Sequence, residues 1–233
     1  MSEPLPVVLI PGLLASARVY AGQIPQLWRV GPVMIADHTR DDSMSAIARR
    51  ILGAAPARFA LAALSMGGYI AFEILRQAPE RIAKLALLDT SARADAPEQT
   101  AMRRAQMALA AEGRLGEVVE QQFPRLVHRE HRADPALRHV FTLMAEDVGA
   151  AGFIRQQAAI LGRADSRPTL GSIRCPTLVL VGEGDELTPP ERAAEIAAGI
   201  RGACLTTVAH SGHMSTLEQP DEVARALLEW LEA

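Results

Sequence analysis

Leu64-Ser65-Met66-Gly67-Gly68 lies between an apolar run, Arg58-Phe59-Ala60-Leu61-Ala62-Ala63, and a helical pattern that begins near Gly67. A serine set between a strand and a helix, with two glycines close behind it, reads as a nucleophile held on a tight turn. The backbone must bend sharply there, and neighbours without a Cβ let it do so without a clash. Two later segments answer the serine: Gly182-Glu183-Gly184-Asp185 after another apolar run, and His210-Ser211-Gly212-His213 near the end. An acid and a base thus follow the hydroxyl in chain order.

Outward from the serine, the first part of the chain alternates between two patterns. Val7-Val8-Leu9-Ile10, closed by Pro11-Gly12, Val33-Met34-Ile35-Ala36, Phe59 to Ala63 and Leu85-Ala86-Leu87-Leu88 are short apolar runs, as in strands buried on both faces. Between them, Asp42 or Ser43 can cap a helix running through Gly53, with Met44, Ile47, Ala48, Ile51 and Leu52 on its apolar side. A second helix is expected from Gly67 to Ala78, stopped by Pro79, which cannot continue the ladder.

From Ser91 to about Arg167 the strand-like runs vanish, and Met, Leu, Val and Phe recur at helical spacing: Met102, Met107 and Leu109, then Val118, Val119, Phe123 and Leu126, then Leu137, Phe141 and Leu143. Alternation resumes with strands expected over Thr177 to Val181 and Leu205 to Val208, and helices over Pro190 to Ile200 and Glu218 to Leu231. An all-helical insertion within a βαβα pattern predicts a lid over a doubly wound, mostly parallel sheet. The core is then 1–90 with 168–233, and the helical lid is 91–167.

The 233 residues, 49% of them hydrophobic, suit one α/β domain with a sizeable core. A formal net charge of -3, with arginines scattered among acids and Lys84 the only lysine, argues against a nucleic-acid partner. No apolar stretch is long enough to span a bilayer, so no membrane partner is expected. The opening Met1-Ser2-Glu3-Pro4 lacks the basic and apolar regions of a signal peptide. Cys175 and Cys204, at the starts of two predicted strands, make no disulfide framework and read as small buried hydrophobes in a reduced, cytoplasmic protein.

Taken together, Leu9-Ile10-Pro11-Gly12-Leu13-Leu14, Leu64-Ser65-Met66-Gly67-Gly68, Pro79-Glu80-Arg81-Ile82, the run from Cys175-Pro176 to Gly184-Asp185, and Gly212-His213-Met214 resemble the α/β-hydrolase family over nearly the whole chain. The resemblance implies the α/β-hydrolase fold without the family's first strands. It also implies a Ser-Asp-His triad. Ser65 is then the nucleophile, His213 the general base, and Asp185 the acid that fixes the imidazole. Glu183 and Glu186 are rivals to Asp185, Asp89 is the reserve, and His210 is assigned a structural role. The oxyanion donors implied are the backbone N–H groups of Met66 and Leu13, with Leu14 as the alternative to Leu13. Two departures stand out: Ala63 replaces the family's usual glycine two residues before the serine, and Pro11 replaces a histidine common before Gly12.

The expected activity is hydrolysis of a small carboxylic ester or related acyl compound, without a cofactor. The pocket is expected to be apolar, lined by Leu13, Leu14, Met66, Leu187 and Met214 with Phe123 or Phe141 from the lid. With only 4% aromatic residues, aliphatic or small substrates are favoured over extended aromatic ones. An alternative is C–C bond hydrolysis or elimination on the same triad, with Arg125 or Arg155 holding a dicarboxylate; another is a ligand-binding regulator. His128-Arg129-Glu130-His131 lacks the spacing of a zinc motif and reads as a solvated helix face, so no metal is expected.

Overall fold

A computed structural model describes residues 4–233; Met1, Ser2 and Glu3, part of the opening that bears on a signal peptide, lie outside the described residues. Six strands form one sheet: β1 (Val7–Ile10), β2 (Val33–Ile35), β3 (Phe59–Leu64), β4 (Ile82–Leu88), β5 (Thr177–Gly182) and β6 (Cys204–Val208). Their spatial order is β2-β1-β3-β4-β5-β6, and every pair is parallel. The helices are α1 (Ile24–Trp28), α2 (Met44–Ala54), α3 (Met66–Gln77), α4 (Pro97–Ala111), α5 (Leu115–Leu126), α6 (Pro135–Leu161), α7 (Arg167–Leu170), α8 (Pro190–Gly199), α9 (Ser215–Glu218) and α10 (Pro220–Glu232).

Successive side chains of a strand point to opposite faces, so each strand feeds two cores. Val8, Ile10, Leu61, Ala63, Leu85, Leu87, Val179 and Val181 pack with α2, α3 and α8. Val7, Leu9, Ala60, Ala62, Leu64, Ala86, Leu88, Leu178 and Leu180 pack with α10 and the segment that contains Val19, Tyr20 and Leu27. Burial on both faces is why these strands read as unbroken apolar runs rather than alternating ones. The edge strands are the exceptions: β2 is only half-buried, and β6 exposes Cys204, Leu205 and Thr207.

Several boundaries differ from the sequence reading. β4 begins at Ile82, because Lys84, polar in the pattern, sends its ammonium out to the carbonyls of Trp230 and Leu231. The expected last helix is two helices, α9 and α10, divided at Gln219 and Pro220. The single turn Ala17–Tyr20 and α1 were too short to leave a periodic signal. Ser43 caps α2, its hydroxyl accepting the N–H of Ala46. The helices between β4 and β5 run from Pro97 to Leu170, and α6 bends at Gly149, where φ is +68°. Cys175 is half-buried and Cys204 exposed, so the expectation of two buried thiols fails; both are free. Among the described residues, no helix is long and apolar enough to cross a membrane.

The sheet's connections run outward from β1 to β2 and then back across it to β3. Its topological switch point therefore lies between β1 and β3, where a crevice opens at the carboxyl ends of the strands. Gly12 and Ser65 follow these two strands directly. The crevice is at the serine.

Candidate active site

Ser65 sits at φ +54°, ψ −115°, a left-handed backbone that L-residues rarely adopt. The turn is held by Ser65 N–H donating to Leu88 O at 2.9 Å and by the Thr90 hydroxyl donating to Ser65 O at 2.7 Å. The two glycines are fixed by close approach: a Cβ on Gly67 would lie 2.4 Å from Ile10 O, and one on Gly68 2.3 Å from Thr90 Oγ1. Although Ser65 precedes α3, its hydroxyl makes no cap bond to the helix. It lies instead 2.7 Å from His213 Nε2.

From there a continuous line of hydrogen bonds leads inward. His213 Nδ1 is 2.8 Å from Asp185 Oδ2, and both residues are buried. Asp185 Oδ1 accepts the N–H groups of Leu187 and Thr188 at 2.8 and 2.9 Å, so it also holds the turn ahead of α8. These partners assign the tautomer: Nδ1–H donates to Asp185, and Nε2 keeps its lone pair toward Ser65. Thr188 adds a hydroxyl 2.8 Å from Asp185 Oδ2 and 3.1 Å from His213 Nδ1. Nothing in the sequence pattern singled it out.

The rivals go elsewhere. Glu183 accepts the N–H of exposed His210, and Glu186 pairs with Arg132. Asp89 accepts from Gly182 N–H at 2.9 Å and from Ser215 Oγ at 2.5 Å, and makes no hydrogen bond to the His213 ring. Burial, and then the Asp185 charge, push its carboxyl up to about 8. For His213, burial favours the neutral ring, but the Asp185 carboxylate, with Glu218 adding to it, outweighs burial and raises its pKa above the ordinary histidine value.

The Gly12–Ala15 loop faces Ser65 and is pinned from three sides. Tyr20 Oη donates to Ile10 O at 3.0 Å, His38 Nε2 lies 2.8 Å from Gly12 O, and Leu14 N–H donates to Gln156 Oε1 at 3.1 Å. Gln156 Nε2 in turn lies 2.9 Å from His38 Nε2. Leu14 N–H is thereby engaged, whereas Gly12 and Leu13 line the cavity beside Met66. Burial lowers the His38 pKa, so it works as a neutral ring. Where Pro11 removes one anchoring histidine, His38 at the end of β2 supplies another. Two glycine-loop clamps were thus invisible in the sequence, because a lone His after a strand and a Gln within a helical pattern carry no motif.

The cavity above Ser65 is walled by Leu13, Met66, Leu187 and Met214, and by Tyr69 and Ile160. The side formed by the helices between β4 and β5 departs from expectation. Phe123 and Phe141 do not line it; they pack against each other with ring centroids 6.2 Å apart, inside the helical segment. Leu14 is likewise buried in the core rather than on the wall. The helices between β4 and β5 instead contribute Gln99, Met102, Arg103, Gln106, Gln122, Arg125 and Leu126, a mostly polar roof. Gln106 Oε1 accepts from Gln122 and Gln157, and Gln157 Oε1 accepts from Arg103. Arg155 donates to Thr39 O, away from the cavity.

The His128–His131 stretch is a single 3-10 turn, not a solvated helix face. His128 is buried, and His131 Nδ1 lies 2.8 Å from Glu218 Oε2. The buried Glu218 also accepts Gly212 N–H at 2.8 Å and His128 N–H at 2.6 Å, tying the loop that carries His213 to the end of α5. No cluster of three or more His, Cys, Asp or Glu among the described residues could hold a metal ion.

Comparison with known proteins agrees with this architecture. The model of a family described as the alpha/beta hydrolase family matches residues 7–226. A pimeloyl-[acyl-carrier protein] methyl ester esterase from Chromobacterium violaceum is 28% identical over 173 residues, covering 72% of this chain and 68% of that protein. A candidate carbamate hydrolase, RutD, from Rhizobium rhizogenes is 28% identical over 247 residues, covering 97% and 92%. Among solved structures, a thermophilic esterase from Thermogutta terrifontis superposes with a TM-score of 0.90 at 29% identity, covering 100% of this chain and 91% of that one.

Proposed function

Because this chain belongs to the alpha/beta hydrolase family and is a hydrolase-type enzyme, we propose that it cleaves a small carboxylic ester or related acyl compound through Ser65, His213 and Asp185. One observation carries the reading: an unbroken line of short hydrogen bonds from Asp185 through His213 to a serine hydroxyl on the wall of a cavity. In this mechanism Nε2 of His213 takes the Ser65 proton as Oγ attacks the substrate carbonyl. The Met66 and Leu13 N–H groups receive the negative charge on the carbonyl oxygen. His213 then protonates the leaving alcohol, and an acyl group remains on Ser65. A water molecule activated by the same ring releases the acid and restores the serine. Asp185 holds the imidazole and stabilises its protonated form throughout.

In this reading the helices α4 to α6 form the lid of the cavity, and the substrate is a small molecule. The two free thiols suit a cytoplasmic setting. A second reading, cleavage of a C–C bond beside a carbonyl by the same three residues, draws on Arg103 and Arg125 in the cavity wall.

Labelling with a fluorophosphonate, followed by peptide mapping, tests the assignment: the adduct is expected on Ser65 and absent in Ser65→Ala. p-Nitrophenyl esters of increasing acyl length, set against a vinylogous diketone, then separate ester from C–C chemistry. Full turnover by Ser65→Ala overturns the proposal.

A further inference from the structure

Beside the Ser65 cavity lies a second hollow that the catalytic residues leave unused. The two share Tyr69, Gln99, Arg103 and Leu187 in their linings, so they lie side by side. The second hollow is strongly basic: Arg93, Arg103, Arg163, Arg167 and Arg192 line it, against Asp95 and Asp165. Asp95 serves two guanidinium groups at once, with Arg103 Nε at 2.6 Å and Arg163 Nη2 at 2.8 Å. Arg167 pairs with Asp165, and Arg93 with Glu195 just outside the wall. Five arginines thus face three carboxylates, and two positive charges stay uncompensated. Arg192 makes no ion pair among the described residues and is partly shielded from solvent, which strengthens its pull on an anion.

The geometry relative to the serine is favourable. Tyr69 is one helical turn beyond Ser65 on α3, a rise of about 6 Å. Thr188 lines the hollow and also hydrogen-bonds Asp185 and His213. A substrate whose carbonyl rests at Ser65 and whose chain passes Leu187 and Gln99 would set its far end among the arginines.

We infer that this basic hollow is a subsite for an anionic group, carboxylate or phosphate, at the end of the acyl chain opposite the scissile bond. This rests on the acyl-hydrolase reading and narrows its substrate class to half-esters and their like. An apolar chain would gain nothing from the hollow, and a cationic one would be repelled.

The test compares methyl half-esters of the dicarboxylic acids from succinate to suberate with methyl esters of monocarboxylic acids of equal carbon number. The half-esters are expected to have kcat/KM about tenfold higher at low salt, the worth of one charge-assisted hydrogen bond, with the advantage shrinking as salt screens it. Arg192→Gln should remove most of that advantage through KM and leave the neutral esters unchanged. In parallel, calorimetric titration of Ser65→Ala with glutarate and with inorganic phosphate reads the subsite without turnover. Saturable binding of either, weakened by Arg192→Gln, supports the subsite, and the tighter binder identifies the anionic group. Equal kinetics for charged and neutral esters, or no binding of either anion, overturns it while hydrolysis through Ser65 stands. Wild-type turnover by Ser65→Ala would overturn the acyl-hydrolase reading instead, and the binding data would still decide the subsite.

Discussion

Ser65 combines a strained backbone with a side chain that has declined its local partner. A left-handed non-glycine residue costs about 1–3 kcal/mol, held here by the surrounding turn. Its neighbours leave no slack. Gly67→Ala would drive a Cβ into the backbone oxygen of Ile10, so we expect a loss of about 1–3 kcal/mol, read as a lower Tm. Asp185→Asn should lower kcat by about 10⁴ by letting the imidazole adopt the wrong tautomer, with far-UV circular dichroism unchanged. The pH profile has a definite sign. His213 must be neutral to accept the serine proton, and its pKa is raised, so kcat/KM should fall on acidification at a midpoint above the ordinary histidine value of 6.5. Glu218→Gln removes one of the charges that favour the imidazolium. The midpoint should then move to lower pH.

The same scale marks where sequence reading succeeds and stops. Ser65, Asp185 and His213 were legible because each sits on a turn whose small neighbours leave a pattern. His38, Gln156 and Glu218 were not: they hold backbone groups or other side chains largely across long sequence separations, and such partners leave no local spacing. The pocket failed for a related reason. Helical periodicity identifies Phe123 and Phe141 as apolar, but it does not distinguish a helix face turned to the cavity from one turned to a neighbouring helix.

Among the elements, α6 reaches furthest. Its bend at Gly149 divides it, and the second half brings Gln156 to Leu14 N–H and His38, and Gln157 to Arg103 and Gln106. One helix therefore braces both the glycine loop and the roof. Gln156→Leu should let the loop shift and misplace Leu13 N–H. We expect kcat to fall by about 10²-fold, near the cost of one oxyanion donor, with a smaller change in KM. A change confined to KM would place Gln156 in substrate binding instead.

For the whole molecule, the parallel sheet was legible because strands buried on both faces are written as plain apolar runs. Short helices and split ones escaped, since a single turn has no period to detect. One global property follows from a residue at the sheet's centre. Asp89 titrates near 8 in the folded chain and near 4 when unfolded, so between these values the folded state binds the extra proton. Its contribution to stability therefore declines as pH rises from 4 to 8. Asp89→Asn, whose amide oxygen can still accept from Gly182 N–H, should flatten that decline in thermal melts across the range and leave turnover largely intact.

The bond from Gln156 to Leu14 also bears on engineering. Exchanging the helices between β4 and β5 is an obvious route to new specificity, but here that segment is also a brace for the loop beneath it. A chimera that imported a foreign set of helices would change the pocket and slacken the loop together. Only a graft that restored an amide at that point would separate selectivity from rate.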